Sequence, residues 1–231
     1  MNFTSEREQH ILAVVSSLET RIPEFGYSVI TDDVLQTASK WRPVRQVVYD
    51  ATLGGRVQRS DRSILKDGDG SYVFALTPQG NVILLLQLRP GLERLYQVEL
   101  PADSVENGKP MINALQELKD ELGASGKLSV VQLGIGPVLA GRSPQETYFY
   151  FADGIEFDVS QQKLDRGELI IPFTIPIDEV LLFTSTIMQN RLNPEFPRIG
   201  VDPKITTAIV LAAQHLNTQG DFERARKLMM F

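Results

Sequence analysis

A continuous apolar run at residues 82–88, VILLLQL, constrains the fold of this chain more than any other feature. A strand with one wetted face alternates apolar and polar residues, whereas an unbroken apolar strand is covered on both faces. Short β-rich runs, turn signals and helical patterns surround this run without βαβ regularity. The sequence therefore predicts an α+β fold in which a mixed β-sheet is sandwiched between helices.

An acidic helix is predicted at residues 110–122. Its carboxylates Glu117, Asp120 and Glu121 stand at i, i+3 and i+4, and so fall within about 100° of arc on one face. Three hard oxygen ligands on one face suit Mg²⁺ or Mn²⁺. The alternative for such a helix is an ordinary solvated polar face.

The composition excludes several classes of function. The 231 residues carry a net charge of −6, which argues against nucleic acid as a partner. Cysteine is absent, so disulfides and thiolate chemistry are excluded, and only His10 and His215 could serve a histidine-based site. The N-terminus lacks the features of a signal peptide and no apolar run reaches 18 residues, so we expect a cytoplasmic protein without a membrane span.

The pattern divides the chain into three parts. We expect a helical N-terminal extension over 1–40, a mixed domain over 41–218 that begins with a β-rich part at 41–75, and a C-terminal helix over 219–231. Helices are predicted at 5–21, 31–40, 177–183 and 204–217, and strands at 128–134, 145–152 and 168–175.

From about Trp41 to His215 the sequence resembles the Nudix hydrolases, and most closely their ADP-ribose pyrophosphatase branch. The segments that carry the resemblance are VFALTPQGNVILLLQLRP, VELPAD and QELKDELG, in that order, followed by VDPKITTAIVLAA. The resemblance implies a Nudix fold in which the β-rich part at 41–75 pairs two subunits, so that the protein is a homodimer.

The resemblance also implies a metal site with a degenerate Nudix signature. Glu117, Asp120, Glu121 and the backbone carbonyl of Ala102 would bind Mg²⁺ or Mn²⁺. The first half of the signature is not preserved, and its arginine is Gln116. Because Asp120 is one methylene shorter than the usual glutamate, and because Mg²⁺ demands near-ideal geometry, we expect Mn²⁺ to be preferred.

Substrate contacts are implied for four further residues. Gln87 and Arg89 match a Gln-x-Arg element, and the planar guanidinium of Arg89 would contact phosphate. Glu99 would contact metal or substrate, and Glu146 matches an acidic residue at the start of a strand. The alternative for Arg89 and Glu99 is a surface ion pair at the ends of two strands.

Asp165 and Glu168 are candidates for a catalytic base in a loop, although an ordinary solvated turn is the alternative. The implied activity is cleavage of the diphosphate of ADP-ribose, or of a related nucleoside diphosphate sugar, by a metal-activated water. The alternative is a Nudix-fold protein with little or no catalytic activity that binds a nucleotide or a protein partner.

Overall fold

The computed structural model describes residues 6–21, 25–35, 44–53, 55–63, 69–89, 96–105, 107–137, 146–165, 167–190 and 199–230. The α-helices of this part are α1 (Glu6–Arg21), α2 (Pro110–Asp120), α3 (Val180–Asn190), α4 (Lys204–Thr218) and α5 (Phe222–Leu228). The strands are β1 (Phe25–Leu35), β2 (Val44–Leu53), β3 (Arg56–Ser63), β4 (Gly70–Leu76), β5 (Asn81–Leu88), β6 (Tyr96–Glu99), β7 (Ala102–Ser104), β8 (Val131–Pro137), β9 (Glu146–Ala152), β10 (Ile170–Pro176) and β11 (Ile199–Val201).

The strands from β4 onward form one mixed sheet. Its order is β11-β6-β5-β4-β9-β8, with β10 paired to β5 and β7 paired to β4. The pairs β4/β9 and β6/β11 are parallel, whereas the other pairs are antiparallel. The predicted mixed sheet is therefore confirmed.

The central strand β5 is covered on both faces, as the apolar run predicts. Leu84 and Leu86 belong to an apolar cluster that also contains residues of α1, α3, α4 and α5. Ile83 and Leu85 belong to a second cluster, which contains Leu118 of α2. Each such side chain contributes about 1.5–3 kcal/mol when fully buried, so this strand ties the two helical layers together. The predicted sandwich of helices around the sheet is confirmed.

Strands β1, β2 and β3 form a separate antiparallel sheet of three strands. The predicted helix over 31–40 is wrong for residues 31–35, which belong to β1 and pair with residues 44–48 of β2. Cross-strand pairing outweighs the weak helix-start signal of Thr31 and Asp32. Residues 36–43, which include Trp41, lie outside the described part. Ala51 of β2 is fully buried in the larger apolar cluster, so this small sheet packs on the main body.

Most other sequence predictions agree with the structure to within a few residues. The helices predicted at 5–21, 110–122 and 204–217 correspond to α1, α2 and α4. The helix expected from 177 begins at Val180, after a turn, and the strand expected at 128–134 runs from Val131 to Pro137. Among the described residues, no helix is both long and apolar enough to cross a membrane.

Candidate functional site

The C-terminal end of α2 is held against the segment that links β6 to β7. The backbone N–H of Ala102 donates a hydrogen bond of 2.9 Å to Oε2 of Glu121, whose side chain is buried. The carbonyl of Pro101 accepts from the N–H of Val73 in β4. The segment VELPAD and the acidic helix therefore meet at Glu121, which brings two of the segments singled out in the sequence into contact.

Glu117 lies one turn before Glu121 on the same helix face, in an environment that opposes its ionisation. Burial raises the pKa of Glu117 from its usual value of 4.5 to about 8, and the charges of Asp103, Glu168, Asp120 and Asp165 add to the effect in that order. A carboxylate with this environment is costly to ionise unless a cation is close to it.

The pKa of Glu121 is also raised well above its ordinary value. Burial is the main cause, and the charge of Glu117 adds to it. The hydrogen bond from Ala102 and the charge of Arg89 lower the pKa of Glu121. Glu121 is buried and Glu117 is partly buried, and the two form an acidic pair that is only partly compensated by protein groups.

A loop after β9 is fastened to the last turn of α2. The side-chain amide of Gln162 donates to the carbonyl of Glu121, and the N–H of Lys163 donates to the carbonyl of Asp120 at 2.9 Å. These bonds satisfy carbonyl groups that a helix C-terminus leaves without partners. The loop continues to Asp165 and Glu168, and both of these acids act electrostatically on Glu117. The structure therefore brings the two candidate bases to the acidic helix.

Asp120 has a different immediate partner. The side-chain amide of Gln116, one turn earlier, donates a hydrogen bond of 2.6 Å to Oδ2 of Asp120. Within the described ranges, no three histidine, aspartate or glutamate side chains are grouped so as to hold a metal ion. The expected convergence of Glu117, Asp120 and Glu121 on one point is thus not present in this arrangement of side chains, in which Asp120 accepts from Gln116.

The donor chemistry of the pair nevertheless fits a divalent cation. Glu117 and Glu121 offer hard carboxylate oxygens, which Mg²⁺ and Mn²⁺ prefer. Since burial and neighbouring acids oppose their ionisation, a bound cation would stabilise the charged form of both groups. Glu117 and Glu121 are therefore the main candidate ligands of such a cation.

Arg89 and Glu99 form a bidentate ion pair beside this cluster. Nε of Arg89 donates to Oε1 of Glu99 at 2.7 Å, and Nη2 donates to Oε2 at 2.6 Å. The Glu99 side chain is 5% exposed and that of Arg89 is 30% exposed. Gln87, two residues before Arg89 on β5, is buried opposite Gln97 of β6. The ion pair expected as an alternative is present, but it is largely buried rather than a surface pair.

Glu146 lies at the exposed start of β9. Its N–H donates to Oδ1 of Asp69 at 2.8 Å, and its carboxylate accepts from the hydroxyl of Tyr148 at 2.8 Å. These contacts connect Glu146 to the start of β4, and a role in substrate binding stays a prediction.

Sequence reasoning missed Asp103 and Gln162 as site residues. Among the charged groups, Asp103 contributes most to the raised pKa of Glu117. It directly follows Ala102, which the sequence placed at the same metal site as Glu117, so the proximity of Asp103 to Glu117 could have been inferred. Gln162 carries no recognisable signal, because its role depends on the path of the loop over the end of α2.

Comparisons with known proteins find two relatives and a similar solved structure. No protein-family model matches the chain. A segment of 123 residues is 28% identical to an ADP-ribose pyrophosphatase of Bacillus subtilis (strain 168), and covers 53% of this chain and 65% of that relative. The chain therefore spans slightly less than two thirds of the length of that protein.

A second relative is a methanol dehydrogenase activator of Bacillus methanolicus. It is 28% identical over 145 residues, which are 62% of this chain and 76% of that protein. A crystal structure of an ADP compounds hydrolase superposes with a TM-score of 0.51 at 15% identity, and covers 84% of this chain and 96% of that one.

Together with the fold, these similarities define the class of protein. The chain has a Nudix fold and is related to the ADP-ribose pyrophosphatase-like Nudix proteins.

Proposed function

We propose that this protein hydrolyses the diphosphate of ADP-ribose, or of a related nucleoside diphosphate sugar, with Mg²⁺ or Mn²⁺ as cofactor. The observation that carries the proposal is the acidic pair of the buried Glu121 and the partly buried Glu117, whose ionisation is opposed by further acids in the adjoining segment and loop. A protein does not need such a costly cluster for folding, whereas a diphosphate hydrolase needs carboxylates of this kind to hold a divalent cation. The similarity to an ADP-ribose pyrophosphatase supports the choice of substrate.

The proposed reaction is an attack of water on one phosphorus of the diphosphate. The new P–O bond forms as the bond to the bridging oxygen breaks, which for ADP-ribose yields AMP and ribose 5-phosphate. When bound, the cation neutralises the diphosphate and increases the acidity of the water. Glu117 and Glu121 would hold it, with Asp120 and the carbonyl of Ala102 as further ligands.

Two other groups of this chain have assigned roles in the proposal. Glu168 accepts the proton of the attacking water, because it acts electrostatically on Glu117, Glu121 and Arg89, whereas Asp165 is among the main influences on Glu117 alone. Arg89 binds a phosphate oxygen through Nη1, the guanidinium nitrogen that does not bond to Glu99.

The test is product release from ADP-ribose with each metal. We expect activity to require a divalent cation and to be higher with Mn²⁺, because Asp120 is short. Glu121→Gln should lower kcat at least about 100-fold, since it removes a charge at the cation. Glu223→Gln is the matched control, because Glu223 is an exposed acid on α5 paired with Lys227. Wild-type protein that releases no product at high enzyme concentration with either metal would contradict the proposal.

A second candidate function is binding without efficient hydrolysis. It is favoured by Gln116, which stands in place of the signature arginine and engages Asp120, and by the relative whose name describes an activator. In that case the chain would bind a nucleotide or a protein partner through the same site. Calorimetry with ADP-ribose and Mn²⁺ would then give saturable binding in the absence of product.

The quaternary state is a separate part of the proposal. The small sheet β1–β3 has two outer strands, β1 and β3, which each have one strand partner among the described residues. Outer strands of this kind offer backbone groups to a second chain. We propose that this sheet pairs two subunits, so sedimentation should give twice the 25.8 kDa chain mass. A monomer at micromolar concentration would contradict it. The cytoplasmic location and the lack of a nucleic-acid partner stay predictions.

A further inference from the structure

The loop that carries Asp165 and Glu168 is fastened at both ends to the main body. At its start, Gln162 and Lys163 bond to the last turn of α2. At its end, the carbonyl of Leu169 accepts from the N–H of Leu88 at 3.1 Å, and β10 follows. Between these points Asp165 and Glu168 are joined by two hydrogen bonds. The N–H of Glu168 donates to the carbonyl of Asp165 at 3.0 Å, and the N–H of Asp165 donates to Oε2 of Glu168 at 3.2 Å.

A third contact reaches this turn from the small N-terminal sheet. The N–H of Gly167 donates a hydrogen bond of 2.8 Å to Oε1 of Gln58 on β3, 109 residues earlier in the chain. Gly167 has φ of +85°, in the left-handed region that favours glycine. The direction of this N–H is therefore set by a backbone conformation that other residues rarely adopt.

Gln58 is presented by a firmly held strand. It pairs with Ala51 of β2, which is fully buried in the larger apolar cluster, so β3 lies next to a strand anchored in the core. The neighbouring residue Arg59 makes two hydrogen bonds to Asp50, Nε to Oδ1 at 2.9 Å and Nη2 to Oδ2 at 3.0 Å. A hydrogen-bond acceptor on such a frame can hold a loop in one place better than an acceptor on another loop.

We infer that Gln58 is a positioning residue, which holds the turn so that Glu168 faces the acidic side of α2. The inference rests on the proposed function, because it gives Glu168 the role of the base. It implies that the small sheet contributes to activity in addition to any role in pairing subunits. An error of about 1 Å in the position of a catalytic group can cost about 100-fold in rate, so one hydrogen bond at this point is sufficient to matter.

The first test measures the hydrogen bond between Gly167 and Gln58 and does not depend on activity. Hydrogen exchange of the Gly167 amide should be about tenfold faster in Gln58→Ala, since its acceptor is lost. Gln58→Glu keeps an acceptor oxygen at the same reach and should retain the protection. Val57→Ala, at an exposed neighbouring position on β3, should leave the exchange unchanged. Equal exchange in wild type and Gln58→Ala would overturn the inference.

The second test asks whether the effect of Gln58 on kcat depends on Glu168. We expect Gln58→Ala to lower kcat about tenfold at unchanged KM. The same substitution should have no further effect on kcat in a Glu168→Gln background, because the base is already lost. An equal loss in both backgrounds would overturn the inference. A wild-type protein without hydrolase activity would instead refute the proposed function, and the exchange measurement would still decide whether Gln58 holds the turn.

Discussion

Arg89, directly after β5, and Glu99, the last residue of β6, are joined by two hydrogen bonds of 2.7 and 2.6 Å. Glu99 is nearly inaccessible, and the charges of Glu121 and Glu168 in the acidic cluster act on Arg89. A guanidinium fixed in this way is presented in one orientation, which favours the selection of a substrate by geometry as well as by charge.

Removing one partner of this pair should destabilise the protein. Glu99→Gln replaces a charged acceptor by a neutral one beside a largely buried guanidinium, and should lower the free energy of unfolding by about 2 kcal/mol. Urea denaturation in the presence of EDTA measures the change. Glu223→Gln, at an exposed position, should give a curve that overlays the wild type. An unchanged curve for Glu99→Gln would show that the pair contributes nothing to stability.

The acidic pair on α2 should make the metal-free protein less stable than its neutral variant. Glu121→Gln removes a buried carboxyl group that the fold makes costly to ionise and retains an oxygen that can accept from Ala102, so in EDTA at pH 8 it should raise Tm by about 3 °C. The same variant should lose the increase in Tm that Mn²⁺ gives the wild type. Differential scanning calorimetry with and without Mn²⁺ checks both results, and a lower Tm in EDTA would contradict the first.

The stability of the metal-free protein should fall as the pH rises. The pKa of Glu117 is raised from 4.5 to about 8 by burial and by neighbouring acids, so the folded state binds this proton more tightly than the unfolded state. The stabilisation is complete below the unfolded pKa and is lost as the pH rises through about 8. Urea unfolding in EDTA between pH 6 and pH 9 measures this slope. Glu117→Gln should flatten it, and an equally steep slope in that variant would assign the effect to other groups.

The amide of Gln116 should compete with a cation for Asp120. If Asp120 is a ligand, Gln116→Ala should lower the Kd for Mn²⁺ a few-fold, since a hydrogen bond of 2.6 Å no longer engages the carboxylate. Calorimetric titration measures the affinity. Ile112→Ala, on an exposed part of the same helix, serves as the control. Unchanged affinity in Gln116→Ala would exclude Asp120 as a ligand.

The elements with strong periodicity were predictable from the sequence. The apolar run of β5 requires cover on both faces, and two apolar clusters provide it, one of which contains Leu118 of α2. Thr31 to Leu35 were predicted as helix, because a short segment with a Thr-Asp start carries little information about the strand that it will pair with.

The candidate site was predictable only where it lies on such elements. Glu117 and Glu121 follow from helical spacing, whereas the place of Glu168 depends on a loop whose path leaves no periodic signal. The contact between Gln58 and Gly167 joins residues 109 positions apart. Neither residue type indicates it, and only the packing of the small sheet on the main body brings the two together.

Gly123, directly after the last turn of α2, is a position at which the backbone tolerates no side chain. It ends α2 with φ of +66°, and a Cβ atom at this position would lie 2.1 Å from the carbonyl oxygen of Asp158. Any side chain here would push away the loop and its acids. The carboxylates of α2, by contrast, can be neutralised without disturbing the backbone. A descendant of this protein could therefore lose the proposed hydrolysis and persist as a folded binding protein, whereas a side chain at position 123 would displace the loop that packs on the end of α2.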